Sequence, residues 1–246
     1  MPDLIDNYTE FAEYYDYILR DVDYEEWFEY LKEIMNTYCA GKKQILEIGC
    51  GTGKFGAKFA SAGYSITGMD ISLDMLLTAK NRIRDGFQVL CADASFFHFK
   101  NKFDFIFCVH DTVNYIIDLK KLEMMFMNVS RCMNKKSVFV FDITTEYNIL
   151  SNFDNKRTDY YHKGCYIKWD NSYSADERII KSELRFTSDS FDKKEIHIQK
   201  IHSNNEISSI LAKTPLEIIG IFSDYSFDSP DENTIMINYV TKLKKA

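Results

Sequence analysis

Ile45-Leu46-Glu47-Ile48-Gly49-Cys50-Gly51-Thr52-Gly53 passes within a few residues from an apolar run to a cluster of glycines. The run reads as a buried strand and the glycines as the turn that feeds it into a helix. At such a junction the backbone can approach a ligand closely, and the free N–H groups of the helix N-terminus point at it. The rest of the chain is sparing with glycine. Only 10 of 246 residues are Gly, and four of them lie between positions 49 and 56. A usual content is roughly 7%, so backbone freedom is concentrated where a ligand would be held.

Outward from this junction, apolar runs at 44–48, 65–70, 87–93, 103–110 and 137–143 alternate with segments of helical periodicity. These segments are 54–61, closed by Gly63, 73–83, capped by Ser72, and 119–133, capped by Asp118. Strands apolar on both faces that alternate with helices predict a mostly parallel sheet covered on both sides, an α/β Rossmann-like architecture. After position 151 the alternation stops. Segments 165–173, 178–187 and 193–201 are rich in β-formers and split by polar turns, which predicts an antiparallel meander. Ser203 with Glu206 forms a capping-box pattern for a helix ending before Pro215, and strands at 216–223 and 234–243 close the chain. At the other end, Tyr8, Phe11, Tyr14, Tyr15, Ile18 and Leu19 suggest a short helix. Trp27, Tyr30, Leu31, Ile34 and Tyr38 suggest a longer one, capped by Asp23 with Glu26. The expected organisation is a helical lid at 1–40, a ligand-binding α/β domain at 41–150 and 203–246, and an antiparallel β insertion at 151–202.

Composition excludes several classes. The net charge is −7, from 30 basic and 37 acidic residues, which makes nucleic acid an unfavoured partner. No apolar run approaches the length of a membrane span, and the N-terminus lacks the pattern of a secretory signal. The six cysteines, at 39, 50, 91, 108, 132 and 165, form no CxxC pair. They read as reduced thiols in a cytoplasm-like compartment, and no metal site is expected.

Gly51, Gly53 and Gly56 also satisfy the dinucleotide pattern G-x-G-x-x-G, with Asp70 at a separation suited to a ribose-binding acid. Glu47 argues against that ligand, because an acid just before the glycines would repel a pyrophosphate and would suit an ammonium. On these residues the sequence resembles the class I S-adenosylmethionine-dependent methyltransferases, whose E-x-G-x-G-x-G motif is matched by Glu47, Gly49, Gly51 and Gly53. The acid after the second strand is matched by Asp70, the acid after the third by Asp93, and the end of the fourth strand by the run from Phe103 to His110. The resemblance implies a seven-stranded, mostly parallel sheet with an antiparallel last strand, S-adenosyl-L-methionine as cofactor, and a bacterial subgroup of largely unassigned substrate. Cofactor contacts implied by it are Tyr15, Glu47, Gly49, Cys50, Gly51, Gly53, Asp70, Ile71, Met75, Asp93, Ala94, Val109 and His110. Each has a plainer reading, in which the glycines form a turn, Asp70 caps the next helix, Asp93 is a solvated loop acid and Glu47 is an edge charge.

Ligands of open parallel sheets bind beyond the carboxyl ends of the strands, which puts the loop from His110 to Tyr115 beside the reacting methyl group. His110 and Asp111 are the candidate catalytic residues, as a base or as an anchor for an amine, with helix capping as the alternative. Tyr8, Tyr14, Tyr15 and Trp27 are expected in the lid. Tyr160, Tyr161, His162 and Trp169 are expected as contacts if the insertion covers a substrate rather than forming a dimer surface. The expected activity is methylation of N or O of a small molecule by a monomer or homodimer. The alternatives are a non-catalytic cofactor-binding regulator and a tRNA or protein methyltransferase.

Overall fold

The structure, a computed structural model, describes residues 8–39 and 44–245. The expected boundary between residues 40 and 41 and the start of the lid at residues 1–7 lie outside the described residues. The N-terminal helices are α1 (Phe11–Ile18) and α2 (Tyr24–Tyr38), the second capped by Asp23, whose carboxylate accepts from the Glu25 and Glu26 amides. The alternating core follows as β1 (Gln44–Ile48), α3 (Lys54–Ser61), β2 (Ser65–Asp70), α4 (Leu73–Ala79), β3 (Phe87–Cys91), β4 (Phe103–Cys108), α5 (Leu119–Cys132) and β5 (Met133–Thr144). One helical turn, α6 (Glu146–Asn148), leads into β6 (Arg157–His162), β7 (Cys165–Ser174), β8 (Ile179–Thr187) and β9 (Asp192–Lys200). Then come α7 (Asn204–Ala212), β10 (Leu216–Ser223) and β11 (Met236–Leu243).

The main sheet has seven strands in the order β3-β2-β1-β4-β5-β11-β10. β1 to β5 pair in parallel, and β11 runs antiparallel to both β5 and β10. Alternation sorts the apolar side chains to two faces. Phe105, Phe107, Val138 and Val140 pack with Leu31, Ile34 and Met35 of α2 and with Phe55 and Phe59 of α3. Ile106, Phe139 and Phe141 pack with Leu122, Met125 and Phe126 of α5 and with Ile207 and Ile210 of α7. The capping box of α7 forms as expected, between Ser203 and Glu206. Helix 73–83 is shorter than its periodicity predicts, because the chain tightens into a 3-10 turn at Lys80–Arg82. The fourth strand stops at Cys108, since His110 and Asp111 have φ of 65° and 62°, in the left-handed region that a strand cannot enter.

The insertion is a separate antiparallel sheet, ordered β6-β7-β8-β9. Its first strand, Arg157–His162, carries no apolar alternation and was not expected; it is an edge strand held by pairing to β7. The first forty residues divide between the two sheets. α1 buries Phe11, Tyr14 and Ile18 against Cys165, Ile167, Leu184 and Phe186 of the insertion, whereas α2 packs on the main sheet. Among the described residues no helix is long and apolar enough to cross a membrane.

Candidate functional site

The carboxyl ends of β1 to β4 surround a cavity of about 470 Å3. Its floor is the glycine turn. A Cβ on Gly49 would lie 2.3 Å from Oγ1 of Thr112, so this glycine permits the loop after β4 to close on the turn. A Cβ on Gly51 would meet nothing within 4 Å, so that residue faces open space. Asp70 shapes the turn from the next strand, accepting from the Gly51 amide at 2.8 Å and the Ser72 amide at 2.9 Å. Burial raises its pKa, and these backbone bonds oppose the shift. Glu47 is buried with its Oε2 lacking a hydrogen-bond partner among the described residues. Burial raises its pKa, and the charge of Asp70 adds to the rise. Asp93 uses one oxygen to hold the Ser95 amide at 2.7 Å.

α1 is fastened over this cavity by Asp16, which accepts from the Thr52 hydroxyl at 2.8 Å and pairs with Arg82 and with Lys54. Burial opposes its ionisation, but the Arg82 and Thr52 hydrogen bonds outweigh that cost and hold the Asp16 carboxyl below its ordinary range. The fastening sets Tyr15 at the cavity wall, with its hydroxyl 3.3 Å from Nδ1 of His110. Trp27 stacks on Tyr225 at 3.9 Å between ring centroids and meets His110 edge-on at 5.2 Å.

The strained turn at His110 and Asp111 is held from below by Asp142 of β5, which is fully buried. Asp142 accepts from the His110 amide at 2.6 Å, from the Asp111 amide at 3.1 Å and from the Tyr225 hydroxyl. Burial raises the pKa of Asp142, and the charge of Asp111 raises it further. Burial likewise raises Asp111, against a hydrogen bond with Gln199. His110 is pushed down to about 4 by burial and, secondarily, by the Lys54 charge, so at neutral pH it is an uncharged imidazole. Asp111 does not cap the 3-10 turn at Thr112–Tyr115 that follows it. Its Oδ1 is buried without a partner among the described residues.

Asp111 lines a second cavity of about 130 Å3 between the loop after β4, α1 and the insertion. Tyr8, Tyr15, His110 and Tyr115 line both cavities and form the boundary between them. The insertion contributes Trp169, Ser182, Leu184, His197 and Gln199. A buried chain of polar groups lies behind this wall. The Tyr115 hydroxyl is 3.5 Å from Nδ1 of His197, and Nε2 of His197 is 3.2 Å from Glu195. Glu195 also accepts from the Tyr8 amide at 3.0 Å, the Phe11 amide at 3.1 Å and the Glu10 amide, so it holds the start of α1 to the insertion.

Of the expected cofactor contacts, all but Gly53 line the larger cavity. Gly53 begins α3 with φ of 77° and faces Phe87 and Ala79, so it serves the turn and the packing behind it. Of the two candidate catalytic residues, His110 reaches both cavities and Asp111 only the smaller. Of the four insertion candidates, only Trp169 lines a cavity. His162 stacks on Tyr17, Tyr160 packs beside α1, and Tyr161 is 67% exposed. Tyr14 faces the insertion core rather than either cavity. Asp142, Tyr225, Glu195 and His197 went unnoticed in the sequence. The signal for Asp142 is an acid within the apolar run of β5, that for Glu195 and His197 is their period-two spacing with Gln199 on β9, and Tyr225 has none.

Residues 45–136 match the methyltransferase domain family. Over 96% of its length the chain is 24% identical to a methyltransferase of Geobacillus sp. (strain WCH70), of which 99% is covered. It superposes on the crystal structure of an S-adenosylmethionine-dependent methyltransferase from Clostridium acetobutylicum with a TM-score of 0.82, 29% identity, and coverage of 97% of this chain and 99% of that one. The chain is a class I S-adenosylmethionine-dependent methyltransferase. The methyltransferase also shares its fold, at 16% identity and a TM-score of 0.76, with the sugar N-methyltransferase KedS8 from Streptoalloteichus; 93% of this chain and 91% of that one are covered.

The larger cavity of the methyltransferase suits this cofactor on its own geometry. The unpartnered Oε2 of Glu47 could accept the ammonium of the methionine tail, which a pyrophosphate-binding site would not want. Each Asp70 oxygen that takes a backbone N–H keeps a lone pair for a ribose hydroxyl. The open side of Gly51 leaves room for close approach.

Proposed function

We propose that the methyltransferase acts on a nitrogen or oxygen of a small-molecule acceptor held in the smaller cavity. The observation that carries this reading is the cavity itself, about 130 Å3, which adjoins the larger space across Tyr8, Tyr15, His110 and Tyr115 and is roofed by the insertion. A cavity of about 150 Å3 holds a benzene-sized molecule, so this one takes a ring-sized group. KedS8, which shares the fold, is a sugar N-methyltransferase, in keeping with a small-molecule acceptor.

When bound, S-adenosylmethionine supplies an electrophilic methyl group on a sulfonium sulfur. The chain positions and shields. Glu47, Asp70 and Asp93 would hold the methionine tail, ribose and adenine, with Tyr15 and Val109 against the walls. Tyr8, Tyr15 and Tyr115 close the boundary and exclude water, and alignment of the acceptor removes the entropic part of the barrier. His110 is uncharged at neutral pH and holds a proton poorly, because its pKa is pushed down to about 4 by burial and the Lys54 charge. It therefore orients a donor group, and Asp111, whose carboxyl is raised by burial, is the better proton acceptor at this boundary.

The test is incorporation of labelled methyl groups into three sets of acceptors: metabolite-sized amines and alcohols, unfractionated tRNA, and total protein. Label is expected in the first set alone. Label in tRNA or protein overturns the small-molecule reading. Binding of S-adenosylhomocysteine with no transfer to any set leaves a cofactor-binding protein without turnover.

A further inference from the structure

The Asp111 carboxylate faces the smaller cavity, whose described walls carry no lysine or arginine. It sits on a residue with φ of 62°, a left-handed conformation that the surroundings hold in place. The enforcement is the pair of amide bonds to Asp142, which aim the side chain into the smaller cavity. Oδ1 is left buried and unpartnered among the described residues, and the carboxyl's side-chain hydrogen bond is to the uncharged Gln199. A buried carboxylate ordinarily brings a cation with it. None lines this cavity: its described walls include no lysine or arginine, and any charge on His197 is met by Glu195 at 3.2 Å. The opposite wall is aromatic and rigid. Nε1 of Trp169 donates to Asn171 at 2.8 Å, Ser182 donates to the same oxygen, and Phe11 meets the Trp169 ring edge-on. A carboxylate facing fixed aromatic faces attracts a cation from both sides.

We propose that the smaller cavity selects an acceptor bearing an amine, which enters as an ammonium and docks on Asp111. This deepens the small-molecule reading and rests on it. On docking, one N–H proton passes to the Asp111 carboxylate and frees the nitrogen lone pair. That pair forms the N–CH3 bond while the S–CH3 bond breaks, its electrons staying on sulfur, which becomes neutral. The positive charge moves to the methylated nitrogen, and Asp111 returns its proton to solvent when product leaves. Anions are rejected by the same carboxylate, and neutral alcohols leave it unpaired.

The test is ligand-detected NMR titration of the protein saturated with S-adenosylhomocysteine, using three probes matched in size: benzylamine, benzyl alcohol and benzoate. Benzylamine is expected to bind at least about tenfold more tightly than either of the others, and Asp111→Asn to weaken it by about ten- to hundredfold while leaving benzyl alcohol unchanged. Equal binding of the three, preference for benzoate, binding of none, or undiminished benzylamine affinity in Asp111→Asn each overturns the proposal. Should Asp111→Asn misfold, Trp169→Leu gives a second reading: loss of the amine preference with retained benzyl alcohol binding supports the site, and an unchanged preference overturns it. Failure of S-adenosylhomocysteine itself to bind the parent protein would instead break the cofactor reading beneath.

Discussion

The two cavities of this methyltransferase are built on opposite plans. The larger draws its floor and walls mainly from one continuous stretch, Glu47 to Lys121, in which each loop follows its own strand of the parallel sheet. The smaller is assembled from α1, the loop after β4, the turn after β5 and three strands of the insertion, segments separated by up to nearly two hundred residues. A local plan fixes position through strand register, and the charges it buries, Glu47 and Asp70, stand beside their own glycine turn. A dispersed plan needs bonds that span the chain, and Glu195 and Asp142 supply them. The first cavity therefore stands on strand register, and the second on contacts that distant segments must bring together.

The comparison is most exposed to failure at Asp70. Asp70→Ala leaves the Gly51 and Ser72 amides without their acceptor and removes the ribose contact. S-adenosylhomocysteine affinity is expected to fall about hundredfold by isothermal titration, with a loss of about 1–3 kcal/mol in stability from the freed amides. Affinity within a factor of three of the parent would show that the larger cavity does not depend on its local motif. Asp142→Ala frees two amides in a left-handed turn and is expected to cost about 2–4 kcal/mol in chemical denaturation. It should also suppress methyl transfer far more than cofactor binding. Equal loss of both would merge the two cavities into one unit. Glu195→Ala releases the amides at the start of α1 and is expected to cost about 1–2 kcal/mol, again without altering cofactor affinity.

The smallest effect concerns pH. Asp111 has a folded-state pKa above its unfolded value, so folding takes up a proton, and the native state loses stability as pH rises through that interval. Asp111→Asn should therefore melt higher than the parent at pH 8, and the difference should vanish below about pH 4, where an ordinary carboxyl is already protonated. A variant less stable than the parent at pH 8 would mean that the carboxylate is compensated after all.

The same contrast explains what the sequence made legible. The positions of the main-sheet strands and the caps at Asp23, Ser72, Asp118 and Ser203 follow from neighbours in the chain, and twelve of the thirteen residues expected as cofactor contacts line the larger cavity. The glycine motif predicted one role for all its members, but a steric demand from Phe87 and Ala79 claims Gly53 for packing. In the insertion, aromatic content pointed to Tyr160, Tyr161, His162 and Trp169. Of that aromatic set only Trp169 reaches the cavity, and it is joined there by the polar Ser182 of β8 and by His197 and Gln199, which alternate along β9 with Ile196 and Ile198. Their burial depends on α1 and the turn after β5 arriving from elsewhere in the chain, which no local pattern encodes. β6 escapes sequence patterning for a related reason: its side chains do not alternate between apolar and polar, and pairing to β7 and packing on Tyr17 of α1 organise it.

The hold of Glu195 on the first turn of α1 bears on how such proteins diversify. The helix shares an apolar core with the insertion and hangs by its amides from a carboxylate of β9, while its Asp16 grips the glycine turn. Two stretches nearly two hundred positions apart are thus inherited as a single working part. A descendant that exchanged its insertion for another, in pursuit of a new acceptor, would have to carry a matching first helix with it and could leave the intervening cofactor-binding stretch untouched.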